Sequence, residues 1–163
     1  MDDERVDIVN EQDAVVDMAT KTQAHAQGLL HRIVHVLVFN QKGEIALQTR
    51  AAHKQGGGLL DASVGGHVLP GESYEDAARR EMKEELGLTL PLALAGPTKT
   101  LERDPLVRHV GMCFSCVYDG PFQTGSETAS IRFYTLDEVR NRLRDFPGQF
   151  TSATVLSLRQ YLK

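Results

Sequence analysis

Cysteine is scarce in this sequence, with two in 163 residues, Cys113 and Cys116 in GMCFSCVYDG. The CxxC spacing suits a redox or zinc half-site, yet no second CxxC or CxxH supplies the remaining ligands. The alternation of apolar and small residues around the pair reads as a strand, on which positions i and i+3 point to opposite faces. Buried structural thiols in a reducing compartment are the expectation. Long apolar runs are also missing, none approaching the ~20 residues that span a bilayer. The opening MDDERVDIVN is acidic and lacks the basic-then-apolar order of a secretory signal, so a cytoplasmic chain with no membrane partner is expected. There is no strong excess of one charge: a net −4 argues against non-specific nucleic-acid binding, and no stable nucleic-acid partner is expected. Neither an internal repeat nor a low-complexity tract is found, and no serine sits in a GxSxG elbow.

What is present is the composition of a globular protein, 41% apolar and 25% charged, at a length most naturally read as one domain spanning 1–163. VDIVN and AVVDM, separated by EQD, predict a short opening hairpin within an N-terminal extension over 1–28; TQAHAQ predicts a brief helical turn closed by Gly28. HRIVHVLVF predicts a central strand, followed by a turn at 40–43 and a partner strand EIALQTR. GGGLLDASVGGHVLPGE reads as a glycine-rich loop around a short apolar piece. Ser73 offers a helix cap, Ala78, Met82 and Leu86 an apolar stripe, and Gly87 a stop. Strands are expected around Leu92 to Leu101, Val107 to Tyr118 and Ile131 to Tyr134. Thr135 with Glu138 opens another helix to about Asp145, and Thr151 to Leu162 forms the last. Strands mixed with helices give an α/β domain, a helix–sheet–helix sandwich.

The charge that does stand out is local. Between Glu72 and Glu85 six acids (Glu72, Glu75, Asp76, Glu81, Glu84, Glu85) face only Arg79, Arg80 and Lys83, so this segment holds −3 of the −4. Within RREMKEELG, Glu81, Glu84 and Glu85 share i, i+3 and i+4 spacing and fall within about 100° of one another on a helix. Their sector borders the Ala78, Met82, Leu86 stripe and does not point fully at solvent. Half-buried carboxylates repel one another and hold protons unless a cation neutralises them. Oxygen donors of this kind suit Mg²⁺, with Mn²⁺ possible, better than zinc. A solvated acidic face balanced by Arg80 and Lys83 is the plain alternative.

From Gly66 to Leu88 the chain reads GHVLPGESYEDAARREMKEELGL. This resembles the Nudix box: Gly, five residues, Glu, seven residues, Arg-Glu, an apolar residue, one residue, Glu-Glu, one residue, Gly, an apolar residue. Every specified position matches, and chance would produce that about 10⁻⁹ times per starting position. DIVNEQDAVV, the HRIVHVLVF strand and RAAHKQGGGLLDASVGGHV extend the likeness, more weakly, to the branch of Nudix hydrolases related to isopentenyl diphosphate isomerase.

The resemblance implies a Nudix-type α/β/α sandwich with a mixed β-sheet, the box forming loop–helix–loop. It implies Glu81, Glu84 and Glu85 as carboxylate ligands of a divalent cation, with the backbone carbonyl of Gly65 added. It implies that Arg80 and Glu72 orient those carboxylates, and that water attacks phosphorus in a nucleoside diphosphate linked to a further moiety. A glutamate outside the box often acts as ligand or base; Glu127 is the candidate, beside the reading of an ordinary surface glutamate. Arg50 and Lys54 suit either phosphate neutralisation or plain solvation. His67, inside the box, is a candidate substrate contact, while His31 and His35 are expected to pack in or beside the sheet. Phe114, Phe133 and Tyr134 read as core more than as base-stacking platforms. In the isomerase branch a catalytic cysteine precedes the box glycine; here Gly65 occupies that position and has no side chain to move a proton. A hydrolase is therefore expected over an isomerase-like enzyme. A non-catalytic nucleotide-binding Nudix domain, which usually lacks box glutamates, is the other alternative.

Overall fold

The computed structural model describes residues 3–95, 100–103 and 108–162, the side chains of 100–103 excepted. Asn10 closes the opening hairpin: its Oδ1 accepts hydrogen bonds at 3.0 Å from the backbone N–H groups of Gln12 and Ala14, while Asp13 takes a left-handed φ of 62°. β1 (Arg5–Val9) and β2 (Val15–Thr20) accordingly pair antiparallel, as expected. Thr20 and Gln23 form a capping box that opens α1 (Lys21–Gln27), and Gly28 ends it in the left-handed region. After β3 (Leu30–Phe39), Asn40 repeats the same device, its Oδ1 accepting from Lys42 and Glu44 to turn the chain into β4 (Ile45–Arg50).

The rest of the chain alternates short strands with three longer helices. β5 (Leu60–Asp61) and β6 (Val64–His67) precede α2 (Tyr74–Leu86), which Ser73 caps and Gly87 stops. β7 (Ala93–Leu94), β8 (Thr100–Arg103) and β9 (Arg108–Val117) follow, then β10 (Thr128–Tyr134), α3 (Leu136–Asp145) and α4 (Ser152–Tyr161). The expected strands at Leu92 to Leu101 and from Val107 lie outside the described residues at 96–99 and at 107.

β3 is the axis of a mixed sheet. β9 runs parallel along its full length, from Leu30 opposite Arg108 to Phe39 opposite Val117. Its other edge is shared: β1 meets it at His31, β6 covers Ile33 to Val36, and β4 meets it at Phe39. β4 then carries β5 and β10, and β9 carries β7 and β8.

Alternation along β3 divides the core. Val34, Val36 and Val38 face Ala77, Ala78, Met82 and Leu86 of α2, together with Phe114 and Cys116. Leu37 faces the other way, with Val139 and Leu143 of α3 and Leu158 of α4. The result is an α/β/α sandwich with a mixed sheet. Cys116 packs toward α2, whereas Cys113 meets Ser157 of α4, so the two buried thiols do lie on opposite faces. Phe114 and Tyr134 are core residues, and Phe133 packs against the α2 side.

The glycine-rich segment departs from the loop reading. It contains β5 and β6, and Gly65 and Gly66 are paired strand residues opposite His35 and Val34. Glycine is present there because other side chains already fill the space. A Cβ on Gly65 would meet His35 Cδ2 at 2.9 Å, and one on Gly66 would collide with the carboxylate of Glu81.

Candidate active site

The acidic face of α2 lies against the edge of β6. Glu81 is buried, Glu85 is half-buried and the Glu84 side chain is 60% exposed, so the three carboxylates run from core to solvent along one side of the helix. Gly65 and His67 occupy positions of β6 that do not exchange hydrogen bonds with β3, so their backbone groups turn outward toward α2. The Gly65 N–H donates to Glu85 Oε2 at 3.4 Å, and the His67 carbonyl accepts from Arg80 at 2.9 Å.

Arg80 gathers the acids. Its Nε and one terminal nitrogen donate to both oxygens of Glu72 at 2.9 and 3.0 Å; the other terminal nitrogen reaches Glu81 at 2.8 Å and Glu84 at 3.4 Å. Glu72 in turn accepts from the Leu69 N–H, which closes the turn ahead of the helix. The forked, permanently charged guanidinium is suited to hold several carboxylates in one plane.

Burial pushes Glu85 up to about 8, and the neighbouring Glu81 and Asp61 charges push the same way. Burial also raises Glu81, against the pull of Arg80. Without a counter-charge, Glu85 holds its proton at neutral pH.

Two residues that the sequence reading missed complete the surroundings. Gln48 of β4 donates to Glu85 Oε2 at 3.3 Å and accepts from Thr128 Oγ1 at 2.6 Å. Alternation along EIALQTR places it on the face of Ala46, toward α2, and a polar residue on that otherwise apolar face was the available signal. Asp61 is buried beneath; burial opposes its charge, but His35, Thr154 and Arg50 outweigh that and hold its pKa below the ordinary carboxylate range. No local pattern marks it, because its partners Thr151 and Thr154 lie some ninety positions away.

The remaining candidates are placed unevenly. Arg50 is held by Asp61 at 2.8 Å and by the Gln55 carbonyl at 2.9 Å. Lys54 pairs with Glu127 at 2.8 Å, and the Glu127 carbonyl accepts from the Ala51 N–H. Glu127 therefore joins the loop after β4 beside Thr128, which connects through Gln48 to Glu85. His67 does not enter the glutamate face: its imidazole turns to the opposite side of β6 and meets His25, His31 and His109. His35 packs against Ser157 at 2.9 Å.

Among the described residues no helix is long and apolar enough to cross a membrane. A family model for the NUDIX domain matches residues 29–154. The Nudix hydrolase YfcD of Escherichia coli (strain K12) is 36% identical over 163 residues, covering 98% of this chain and 89% of YfcD. An isopentenyl-diphosphate Delta-isomerase of Pectobacterium atrosepticum is 34% identical over 150 residues, covering 89% of this chain and 84% of that protein. The crystal structure of DR0079 from Deinococcus radiodurans superposes with a TM-score of 0.80 at 25% identity, covering 98% of this chain and all of the other. With a complete box running from β6 through α2 and the family model spanning most of the length, the chain belongs to the Nudix hydrolase family.

Proposed function

We propose that this enzyme cleaves a diphosphate linkage in a nucleoside-diphosphate-type substrate, by attack of water on phosphorus, with Mg²⁺ or Mn²⁺ as cofactor. The reading is supported by Glu81 and Glu85 set against the β6 edge, where Gly66 leaves room for the Glu81 carboxylate and the Gly65 N–H donates to Glu85, with Glu84 tied to Glu81 through Arg80. An oxygen-donor face whose burial, with the neighbouring carboxylates, lifts one carboxyl to about 8 fits a hard divalent cation. Glu81, Glu84, Glu85 and the outward-turned carbonyl of Gly65 would hold it. Such an ion supplies polarisation of phosphoryl oxygens and a lowered pKa for water.

The chain's own groups do the positioning. Arg80, braced on Glu72, keeps Glu81 and Glu84 aligned. Gln48 and the Gly65 N–H orient the Glu85 carboxylate. Glu127 stays ionised because Lys54 holds its pKa down, which suits a ligand role better than a base. Lys54 and Arg50, both already shared with carboxylates, stand at the end of β4 as the cations for substrate phosphates. Direct displacement by water is favoured over a covalent intermediate: both thiols are buried, and burial raises the pKa of each.

The isomerase reading rests on the Pectobacterium relative, and Gly65 speaks against it. The position carries no proton donor, and the imidazole of His35 fills the space a side chain would need.

The test is a hydrolysis screen over sugar nucleotides, dinucleotides, coenzyme A and nucleoside di- and triphosphates with Mg²⁺, followed by single turnover in ¹⁸O-labelled water. The label is expected on a phosphate product. A product without label, or a phosphorylated protein, would overturn the mechanism.

A further inference from the structure

On the side of β4 away from the glutamate face, a cavity of about 540 Å³ opens between β4, β10 and α3. Alternation along β4 separates the two: Gln48 bonds Glu85 on the α2 side, and the next residue, Thr49, lines the cavity. Arg132 and Tyr134 share the face of β10 that pairs with Leu47 and Ile45. Thr135 caps α3 so that the helix folds back over that face, and about two turns on, Arg142 borders the buried Val139 and Leu143. The short 3₁₀ turn Pro147–Gln149 closes the far end with Gln149.

Two permanent cations meet there on one ring. The guanidinium carbon of Arg132 lies 4.2 Å from the Tyr134 ring centroid, and that of Arg142 lies 5.4 Å from it. Arg132 Nε donates to the Tyr134 hydroxyl at 2.8 Å, and a terminal nitrogen of Arg142 donates to Gln149 Oε1 at 3.2 Å. Among the described residues neither guanidinium pairs with a carboxylate, whereas Arg140 and Arg144 of the same helix each do. No acid lines the cavity. Glu138, on which both arginines act electrostatically, keeps its Oε2 on the N–H and hydroxyl of Thr135. Contact with Tyr134 accounts for where each guanidinium sits but supplies no negative charge, and like charges held at one ring repel. An anion between them removes that repulsion. Because a guanidinium only donates, Gln149 turns its carbonyl to Arg142 and leaves its amide N–H₂ as a further donor, beside the Thr49 hydroxyl.

We propose that this cavity is a second ligand site, separate from the glutamate face, that binds a small organic phosphate with Arg132 and Arg142 on the phosphate oxygens. A phosphomonoester near pH 7 carries up to two negative charges on three strong acceptor oxygens, which matches two forked guanidiniums and a lining of donors. The volume falls within the ~300–1,000 Å³ of small-molecule sites, more than a bare ion fills. The Tyr134 ring is buried beneath the arginines and offers no open face for a base to stack on, so the phosphate is the group recognised. This site does not depend on the hydrolytic reading.

The experiment titrates the full-length protein with glucose 6-phosphate in EDTA, so that no divalent cation can hold phosphate at the glutamate face, and follows backbone amide shifts by NMR. Gluconate, a carboxylate of similar size, and inorganic phosphate are the comparison probes. Saturable shifts at Thr49, Leu60 and Gln149, without shifts at Gly65 and Glu85, are expected. Arg132→Gln and Arg142→Gln should each weaken binding by ~10-fold or more, the cost of a lost charge-assisted contact. Inorganic phosphate should bind more weakly than the ester, and gluconate should give no saturable shift. The wild-type shift map decides even if a variant folds poorly. No saturable shift, shifts centred on the glutamate face, or equal binding of gluconate or inorganic phosphate overturns the proposal, as does unchanged affinity in both variants.

Discussion

The Glu81 carboxylate occupies the space in which a side chain on Gly66 would begin. The box glycine is therefore a steric requirement of the Glu81 carboxylate, fifteen residues further along the chain. Gly66→Ala should leave the sheet intact, because the side chain of Glu81 can swing aside. The displaced carboxylate should cost turnover at least ~10²-fold, as misplacement by about 1 Å does elsewhere. Unchanged kcat in Gly66→Ala, with an unchanged circular dichroism spectrum, would count against a role for Glu81.

Glu85 predicts a pH signature. Its folded pKa, about 8, is raised above the ordinary carboxylate value, so the folded metal-free protein holds a proton that the unfolded chain has lost. That contribution to stability is fully present below the ordinary carboxylate range and is lost as pH rises toward and through about 8. Mg²⁺ binding near pH 7 should release this proton, and calorimetry in buffers of different ionisation heat measures it. The rise in thermal midpoint caused by Mg²⁺ should grow between pH 6 and 8.5, on the order of the span set by that pKa. Glu85→Gln should keep the metal-free stability at pH 7 and abolish proton release, metal stabilisation and turnover together.

Arg80→Lys retains the charge and loses the fork. A lysine cannot hold both oxygens of Glu72 and also reach Glu81, Glu84 and the His67 carbonyl. Turnover should fall by ~10- to 100-fold, the usual cost of removing a group that orients metal ligands. KM for the substrate should change little. A fall confined to KM would place Arg80 on the substrate instead.

Isopentenyl diphosphate should not be isomerised, even at saturating Mg²⁺, because Gly65 offers no proton donor and His35 leaves no room for one. Dimethylallyl diphosphate formed clearly above an enzyme-free control would reverse the choice between the two branches.

Helix α2 and its charges were legible along the chain because they depend on neighbours three and four residues apart. Ser73 caps the helix, Gly87 stops it, and the spacing of Glu81, Glu84 and Glu85 alone places them on one face beside Ala78, Met82 and Leu86. The hairpin at Asn10 and the turn at Asn40 are local in the same way: each is closed by a side chain bonding backbone at most four residues ahead. What surrounds the helix was decided by sheet pairing. Gln48 reaches Glu85 across 37 positions, Asp61 finds Thr154 across 93, and the four histidines come from residues 25 to 109. The glycines of β6 misled for a related reason. Glycine favours loops when only the backbone is considered, but at Gly65 and Gly66 the decisive fact is the bulk of His35 and Glu81 pressing from other elements. Local spacing fixes which way a helical side chain points; which groups it meets depends on strand order and register, which spacing within one element does not encode.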